Sequence, residues 1–170
     1  RSLETLKLLI ERGVDARLVY VGIGPLFKKL RQEAKDLPVT FLGYIADRER
    51  LADILASADV SLAPGPIETF CLAALESLAS GTPVVASSTS AVGEFLLLNG
   101  EFPVGAIANN NPRSFADSIQ EVIAMRVSNR RLSAACQHQA ENFPWSSTIS
   151  LMLSLHGDLP KRPTSRLRAA

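Results

Sequence analysis

Glu68 and Glu76 stand eight positions apart in the run Pro64-Gly-Pro-Ile-Glu68-Thr69-Phe70-Cys71-Leu72-Ala-Ala-Leu-Glu76, and Gly81-Thr82-Pro83-Val84-Val85 follows. Two carboxylates that only accept hydrogen bonds suit vicinal hydroxyl groups at two places on one elongated ligand. On a single helix, eight steps of roughly 100° and roughly 1.5 Å would set them within about 80° of each other and about 12 Å apart along the axis. That separation is approximate, because Glu68 is expected just before the helix proper. The N–H groups of Thr69, Phe70, Cys71 and Leu72 would open the helix without intrahelical partners. With the positive end of the dipole they could hold diphosphate oxygens. Taken singly, the two glutamates are a dipole-favoured helix-start residue and a solvated helix residue; the surrounding phrase is what argues for the pair.

These residues need elements to hold them. Leu3, Leu6, Leu9 and Ile10 mark one face of a helix over 2–12 that Gly13 ends, and 16–22 (ARLVYVG) is a β-branched run that predicts a buried parallel strand. The beat then repeats: a helix from Pro25 to about 36, a strand over 39–42, a helix capped by Asp47 and a strand over 59–63. A helix over 69–80 capped by Gly81, a strand over 83–87, a short helix over 92–98 and an edge strand over 104–107 come next. Asn109, Asn110 and Asn111 are read as turn chemistry only, leading into a helix over 113–126, and two further helices end near His156. Strands alternating with helices at this spacing predict an α/β fold, a Rossmann-like doubly wound parallel sheet with helices on both faces and a helical C-terminal extension. Ligands of such sheets bind at the carboxyl ends of the strands. The loops at 22–25, 43–45, 64–69 and 87–94 are therefore the places for a site. One domain is expected over 1–157, with a disordered tail over 158–170.

Composition narrows the classes. The 170 residues are 46% hydrophobic and 21% charged, enough apolar surface for a core. Lys plus Arg (18) balance Asp plus Glu (17), so charge gives no support for nucleic acid as a partner. Cys71 and Cys136 lie apart from any Cys/His cluster, which argues against a zinc site or a disulfide framework and makes a reducing, cytoplasmic setting the default. His138 and His156 read as structural or surface residues, and Phe143 and Trp145 as a packing anchor. No apolar run is long enough to span a bilayer. The basic residues Lys161, Arg162, Arg166 and Arg168 read as a solvated terminus, with peripheral attachment to an anionic membrane surface as the rival reading.

The phrase Glu68 to Glu76 with Gly81-Thr82-Pro83-Val84-Val85 resembles the Glu-x7-Glu signature of glycosyltransferase family 4, whose members have the two-domain GT-B fold. Gly22-Ile-Gly24-Pro25, Val39-Thr-Phe-Leu-Gly43-Tyr44, Ala58-Asp59-Val60 and Phe143-Pro-Trp145 are similar to that family's landmarks and come in the same order. The resemblance implies the C-terminal, nucleotide-sugar-binding half of a retaining glycosyltransferase that moves a hexosyl group from GDP-mannose or a UDP-hexose to a glycan, lipid or small-molecule acceptor. It implies no cofactor and no metal, the nucleotide-diphosphate sugar being the donor substrate. By this resemblance Glu68 contacts the transferred sugar, Glu76 the ribose, and the helix start the diphosphate. Gly43, Tyr44 and Ile45 border the base.

Two departures stand out. Relatives commonly carry glycine where this chain has Cys71, and the Gly-Gly stretch after the Pro-Val-Val strand is here Ser90-Ala-Val-Gly93-Glu94. A first strand with its Gly-Arg and Glu-Lys cations is expected just before Arg1, and an N-terminal Rossmann-like domain before that. Without them the chain is expected to be unstable or weakly functional. Two rival readings are a nucleotide-sugar epimerase on the same scaffold and a non-catalytic nucleotide-sugar-binding remnant.

Overall fold

The computed structural model describes residues 1–96 and 103–157. The expectations for 97–98 and for the tail at 158–170 fall outside these residues. The order is α1 (Ser2–Glu11), β1 (Leu18–Val21), α2 (Phe27–Glu33), β2 (Val39–Gly43), α3 (Arg48–Ala56), β3 (Ser61–Ala63) and α4 (Leu72–Ala79). Then come β4 (Val84–Ser87), α5 (Val92–Leu96), β5 (Gly105–Ala108), α6 (Pro112–Ser128), α7 (Leu132–Glu141) and α8 (Trp145–Gly157). Every strand pairing among the described residues is parallel, as the alternation of elements predicts.

β4 sits at the centre of the core, and all four of its residues are buried. Val84 and Ala86 join Leu78, Phe95, Leu96, Leu132 and Cys136 on one face. Val85 joins Leu9, Phe115, Ile119 and Val122 on the other. The period-2 alternation of a strand thus divides one short run between two helical layers: α4, α5 and α7 on one side, α1 and α6 on the other. A fully buried leucine or phenylalanine such as Leu78 or Phe115 contributes about 1.5–3 kcal/mol. Helix starts follow their caps. Asp47 accepts from the N–H groups of Glu49 and Arg50 at 3.0 and 3.2 Å, and Asn111 accepts from Ser114 at 2.9 Å with Pro112 in the first turn.

The single expected sheet is in two parts, β1-β2 and β3-β4-β5. The expectation of a buried strand at 16–22 is corrected with it. β1 alternates half-buried and exposed residues, and Val19 keeps 47% of its surface. The reason is that among the described residues β1 has a strand neighbour on one side only, while its other edge faces a groove of about 570 Å³ that β3 lines from across. Phe143 packs as anticipated, edge-on to Phe95 at 5.7 Å. Trp145 does not: it is 67% exposed at the start of α8, whose Ile149, Leu151, Met152, Leu153 and Leu155 are exposed as well.

Candidate functional site

The carboxyl ends of β3, β4 and β5 bring three loops together. Arg1 donates from its guanidinium to the Pro64 carbonyl at the end of β3, and to Asn110 Oδ1 at 3.1 Å. The same Oδ1 accepts from the buried Ser87 hydroxyl at the end of β4, while Asn110 Nδ2 donates to Thr89 Oγ1 at 2.8 Å. Thr89 in turn donates to the Pro66 carbonyl at 2.7 Å, and Ala91 N–H to the Glu68 carbonyl at 3.0 Å. The segment that carries Glu68 is therefore pinned at Pro64 by Arg1 and at Pro66 and Glu68 by Thr89 and Ala91 of the loop after β4, with Asn110 of the loop after β5 holding Arg1 and Thr89. This corrects the reading of Asn109, Asn110 and Asn111 as turn chemistry alone. Asn111 does serve the turn, but Asn110 joins three strand ends. Its position three residues after the strand expected over 104–107, at a carboxyl end, was the available signal.

The Glu68 carboxylate folds back over Gly65. A Cβ at Gly65 would lie 2.5 Å from Glu68 Oε1, so a side chain there would make the exposed glutamate swing aside. The helix expected over 69–80 begins later, at Leu72, with Cys71 as its N-cap. Cys71 has φ 64° and ψ 77°, a left-handed conformation that an α-helix cannot contain. The amides of Thr69 and Phe70 accordingly belong to the turn ahead of α4, and those of Leu72, Ala73 and Ala74 to its first turn. Since Glu68 lies outside the helix, the helical geometry for the Glu68–Glu76 pair does not hold as drawn. Phe70 turns its ring toward Phe95 and Phe143, with centroids 5.5 and 5.9 Å away.

Both carboxylates still bear on the start of α4. Partial burial raises the pKa of the Cys71 thiol, the Ala74 N–H opposes this, the Glu68 charge adds to it, the Ala73 N–H opposes it, and the Glu76 charge adds again. Glu68, Cys71 and Glu76 thus share one electrostatic neighbourhood, with both glutamates and Leu72 exposed to solvent. Gly43, Tyr44 and Ile45 stand elsewhere, at the carboxyl end of β2 in the other sheet. Gly43 takes φ 71° and its carbonyl accepts from Gly22 N–H at 2.6 Å, which joins the loops after β1 and β2. Tyr44 is exposed and Ile45 half-buried.

Among the described residues no cluster of His, Cys, Asp and Glu could hold a metal ion. His138 lies on the surface beside Glu141 at 3.4 Å. No described helix is long and apolar enough to cross a membrane.

Comparison with known proteins gives the same picture. The chain is 46% identical over 157 residues to a GDP-mannose-dependent alpha-(1-6)-phosphatidylinositol dimannoside mannosyltransferase of Mycobacterium tuberculosis, covering 92% of this chain and 40% of that protein. Sucrose-phosphate synthase from Thermosynechococcus elongatus superposes with a TM-score of 0.73 at 27% identity, over 91% of this chain and 41% of its own. The catalytic domain of the cholesterol-alpha-glucosyltransferase from Helicobacter pylori shares the fold with a TM-score of 0.66 at 21% identity, over 84% of this chain and 88% of that one. The chain therefore spans about two fifths of the length of the mycobacterial relative. A family model described as "Glycosyl transferases group 1" matches residues 2–125, and with the parallel α/β layers and the loops gathered at their carboxyl ends it follows that this chain belongs to the group 1 glycosyl transferases.

Proposed function

We propose that this chain is the donor-binding part of a retaining family 4 glycosyltransferase that uses GDP-mannose and the Glu-x7-Glu pair Glu68 and Glu76. The observation that carries the reading is the 46% identity, over 92% of the chain, to a protein named as a GDP-mannose-dependent mannosyltransferase. The site geometry supports it. A ligand made of sugar, diphosphate and ribose is about long enough to run from a carboxylate ahead of α4 to one inside it, with the N–H groups of the first turn between them. In this reading Glu68 binds hydroxyls of the mannosyl group and Glu76 those of the ribose. The amides from Thr69 to Leu72 receive the diphosphate, and Gly43, Tyr44 and Ile45 border the guanine. Residues 1–157 form the donor domain, and a Rossmann-like domain elsewhere in the full-length protein carries the acceptor.

Front-side transfer with retention asks the protein to stabilise a leaving diphosphate rather than to supply a strong base. The leaving group accepts the acceptor's proton as the new glycosidic bond forms. Glu68 is then a positioning and electrostatic group. The relative's named acceptor is a phosphatidylinositol glycolipid, which supports a lipid acceptor here and a cytoplasmic protein attached peripherally to the membrane.

Calorimetric titration of the full-length protein with GDP and UDP in turn tests the reading. GDP is expected to bind, and Glu76→Ala to weaken it about 10- to 100-fold, the loss of hydrogen bonds to a charged group worth about 1.5–3 kcal/mol. Glu68→Ala is expected to reduce mannosyl transfer more than GDP affinity. Unchanged GDP affinity in Glu76→Ala removes the ribose contact, and a folded protein that binds neither nucleotide returns the chain to the non-catalytic remnant.

A further inference from the structure

Three rings from distant parts of the chain close a triangle beside the turn that leads into α4. Between centroids, Phe70 lies 5.5 Å from Phe95 and 5.9 Å from Phe143, and Phe95 lies 5.7 Å from Phe143. Phe143 meets both of the others edge-on, at 66° and 64°, so that the positive rim of one ring faces the negative face of the next. Phe95 is buried, whereas Phe70 keeps 38% of its surface, so much of its ring has no protein neighbour. The carboxyl end of α7 supplies the third ring and also fixes the second. Buried Gln139 donates from its side-chain amide to the Phe95 carbonyl at 2.7 Å, and Phe143 N–H donates to the Ala140 carbonyl at 3.1 Å. α7 packs along α4 as well, the helix that carries Glu76. One helix end thus braces α4, α5 and, through Phe143, the turn that follows Glu68.

We propose that Phe143 is a positioning residue for the donor: acting through Phe70, it holds the turn at 68–71 so that the amides from Thr69 to Leu72 are set to receive the diphosphate. This role rests on the donor reading above and adds to it a side chain outside the glutamate motif. Hydrogen bonds already fix the turn on both flanks. The Glu68 carbonyl accepts from Ala91 N–H at 3.0 Å, and the Cys71 carbonyl from Ala74 N–H at 3.0 Å. Between these points Thr69 is exposed, which leaves the Phe70 ring to fix the intervening peptides. Their orientation matters, because a backbone amide that serves an anion loses its hydrogen bond steeply as the angle opens. A turn ordered before the ligand arrives also binds without the cost of being ordered by it.

Titration of the full-length protein with GDP and UDP, together with amide hydrogen exchange of the same protein without nucleotide, tests this role. The variants are Phe143→Leu, Phe143→Tyr and, as a reference in the core layer on the other face of β4, Ile119→Ala. Phe143→Leu is expected to weaken GDP binding about 3- to 10-fold, the range that the loss of an edge-on aromatic pair sets. It is also expected to speed exchange of the Ala91 and Ala74 N–H groups, on either side of Phe70, on the order of 10-fold. Phe143→Tyr keeps the ring at a half-buried position and is expected to match the parent in both readouts. Ile119→Ala is expected to lower the urea midpoint at least as far as Phe143→Leu with GDP affinity unchanged, which separates the turn from general destabilisation. A Phe143→Leu protein that binds GDP as tightly as the parent overturns the positioning role alone, and so does an Ile119→Ala protein that loses as much affinity. A parent that binds neither nucleotide overturns the donor reading and the positioning role with it.

Discussion

Cys71 holds a left-handed backbone conformation that suits glycine, at the point where the Glu68 loop becomes α4. For a residue with a Cβ this costs about 1–3 kcal/mol, and a β-branched side chain fares worst. Cys71→Gly relieves the strain but frees the unfolded chain by about 0.4–1 kcal/mol. It is expected to stay within about 1 kcal/mol of the parent in urea unfolding, with Cys71→Val about 1–2 kcal/mol below it. A valine variant as stable as the glycine one would remove the left-handed cap. Asn110 acts at the same end of the sheet through hydrogen bonds rather than strain. Asn110→Ala leaves the buried Ser87 hydroxyl with Thr89 at 3.2 Å as its remaining side-chain partner and takes the donor away from Thr89. A loss of about 1–2 kcal/mol is expected, together with weaker nucleotide binding by the full-length protein as the Glu68 loop loosens. Stability lost with affinity unchanged would make Asn110 a fold residue only.

At the scale of elements, the contact between β4 and β5 is unusually intolerant of side chains. A Cβ on Gly105 would collide with the Val84 carbonyl, backbone that belongs to the sheet's most buried strand. Gly105→Ala must part the two strands and is expected to cost about 2–3 kcal/mol, read as a lower urea midpoint at unchanged slope. An unaltered midpoint would mean that β5 is free to move, as a frayed edge would be. The connection from α3 to β3 is held more loosely, by Arg126 of α6 donating to the carbonyls of Ala58 and Asp59 at 2.9 and 3.1 Å. One long helix thus ties together the layer it covers and the start of the strand that borders the groove. The helix boundaries were legible where a cap marks them, at Asp47 and Asn111. At α4 cysteine has no cap preference, and the available signal for the left-handed turn was that relatives commonly carry glycine at this position.

Across the whole molecule, the thiol of Cys136 reports on the integrity of the core beside β4. Burial pushes it up to about 12, against the pull of the Arg126 charge and its own backbone N–H. An unfolded thiol ionises from about pH 8.5, so between that value and 12 the unfolded chain holds fewer protons and stability falls as pH rises. The contribution is intact below about pH 8. The stability difference between the parent and Cys136→Ala is therefore expected to shrink steadily from pH 9 to pH 11 in urea unfolding. A difference independent of pH would place the thiol in contact with water.

The α/β class, the parallel strands, the two helical layers and the resemblance carried by Glu68 and Glu76 were all present in the sequence. Each rests on local signals: hydrophobic period, cap residues and a short motif. What the tertiary structure alone decided is how separate segments meet. Asn110, Ser87 and Thr89 look like turn and strand-end residues until three strands in parallel bring their carboxyl ends together. The left-handed Cys71 and the late start of α4 appear only in the folded chain. A strand expected ahead of Arg1 implies an open place in the sheet, but the groove itself, between β1 and β3, has no position in the order of elements. It appears only when both edges line the same space, because strand pairing is a contact between segments distant in the chain.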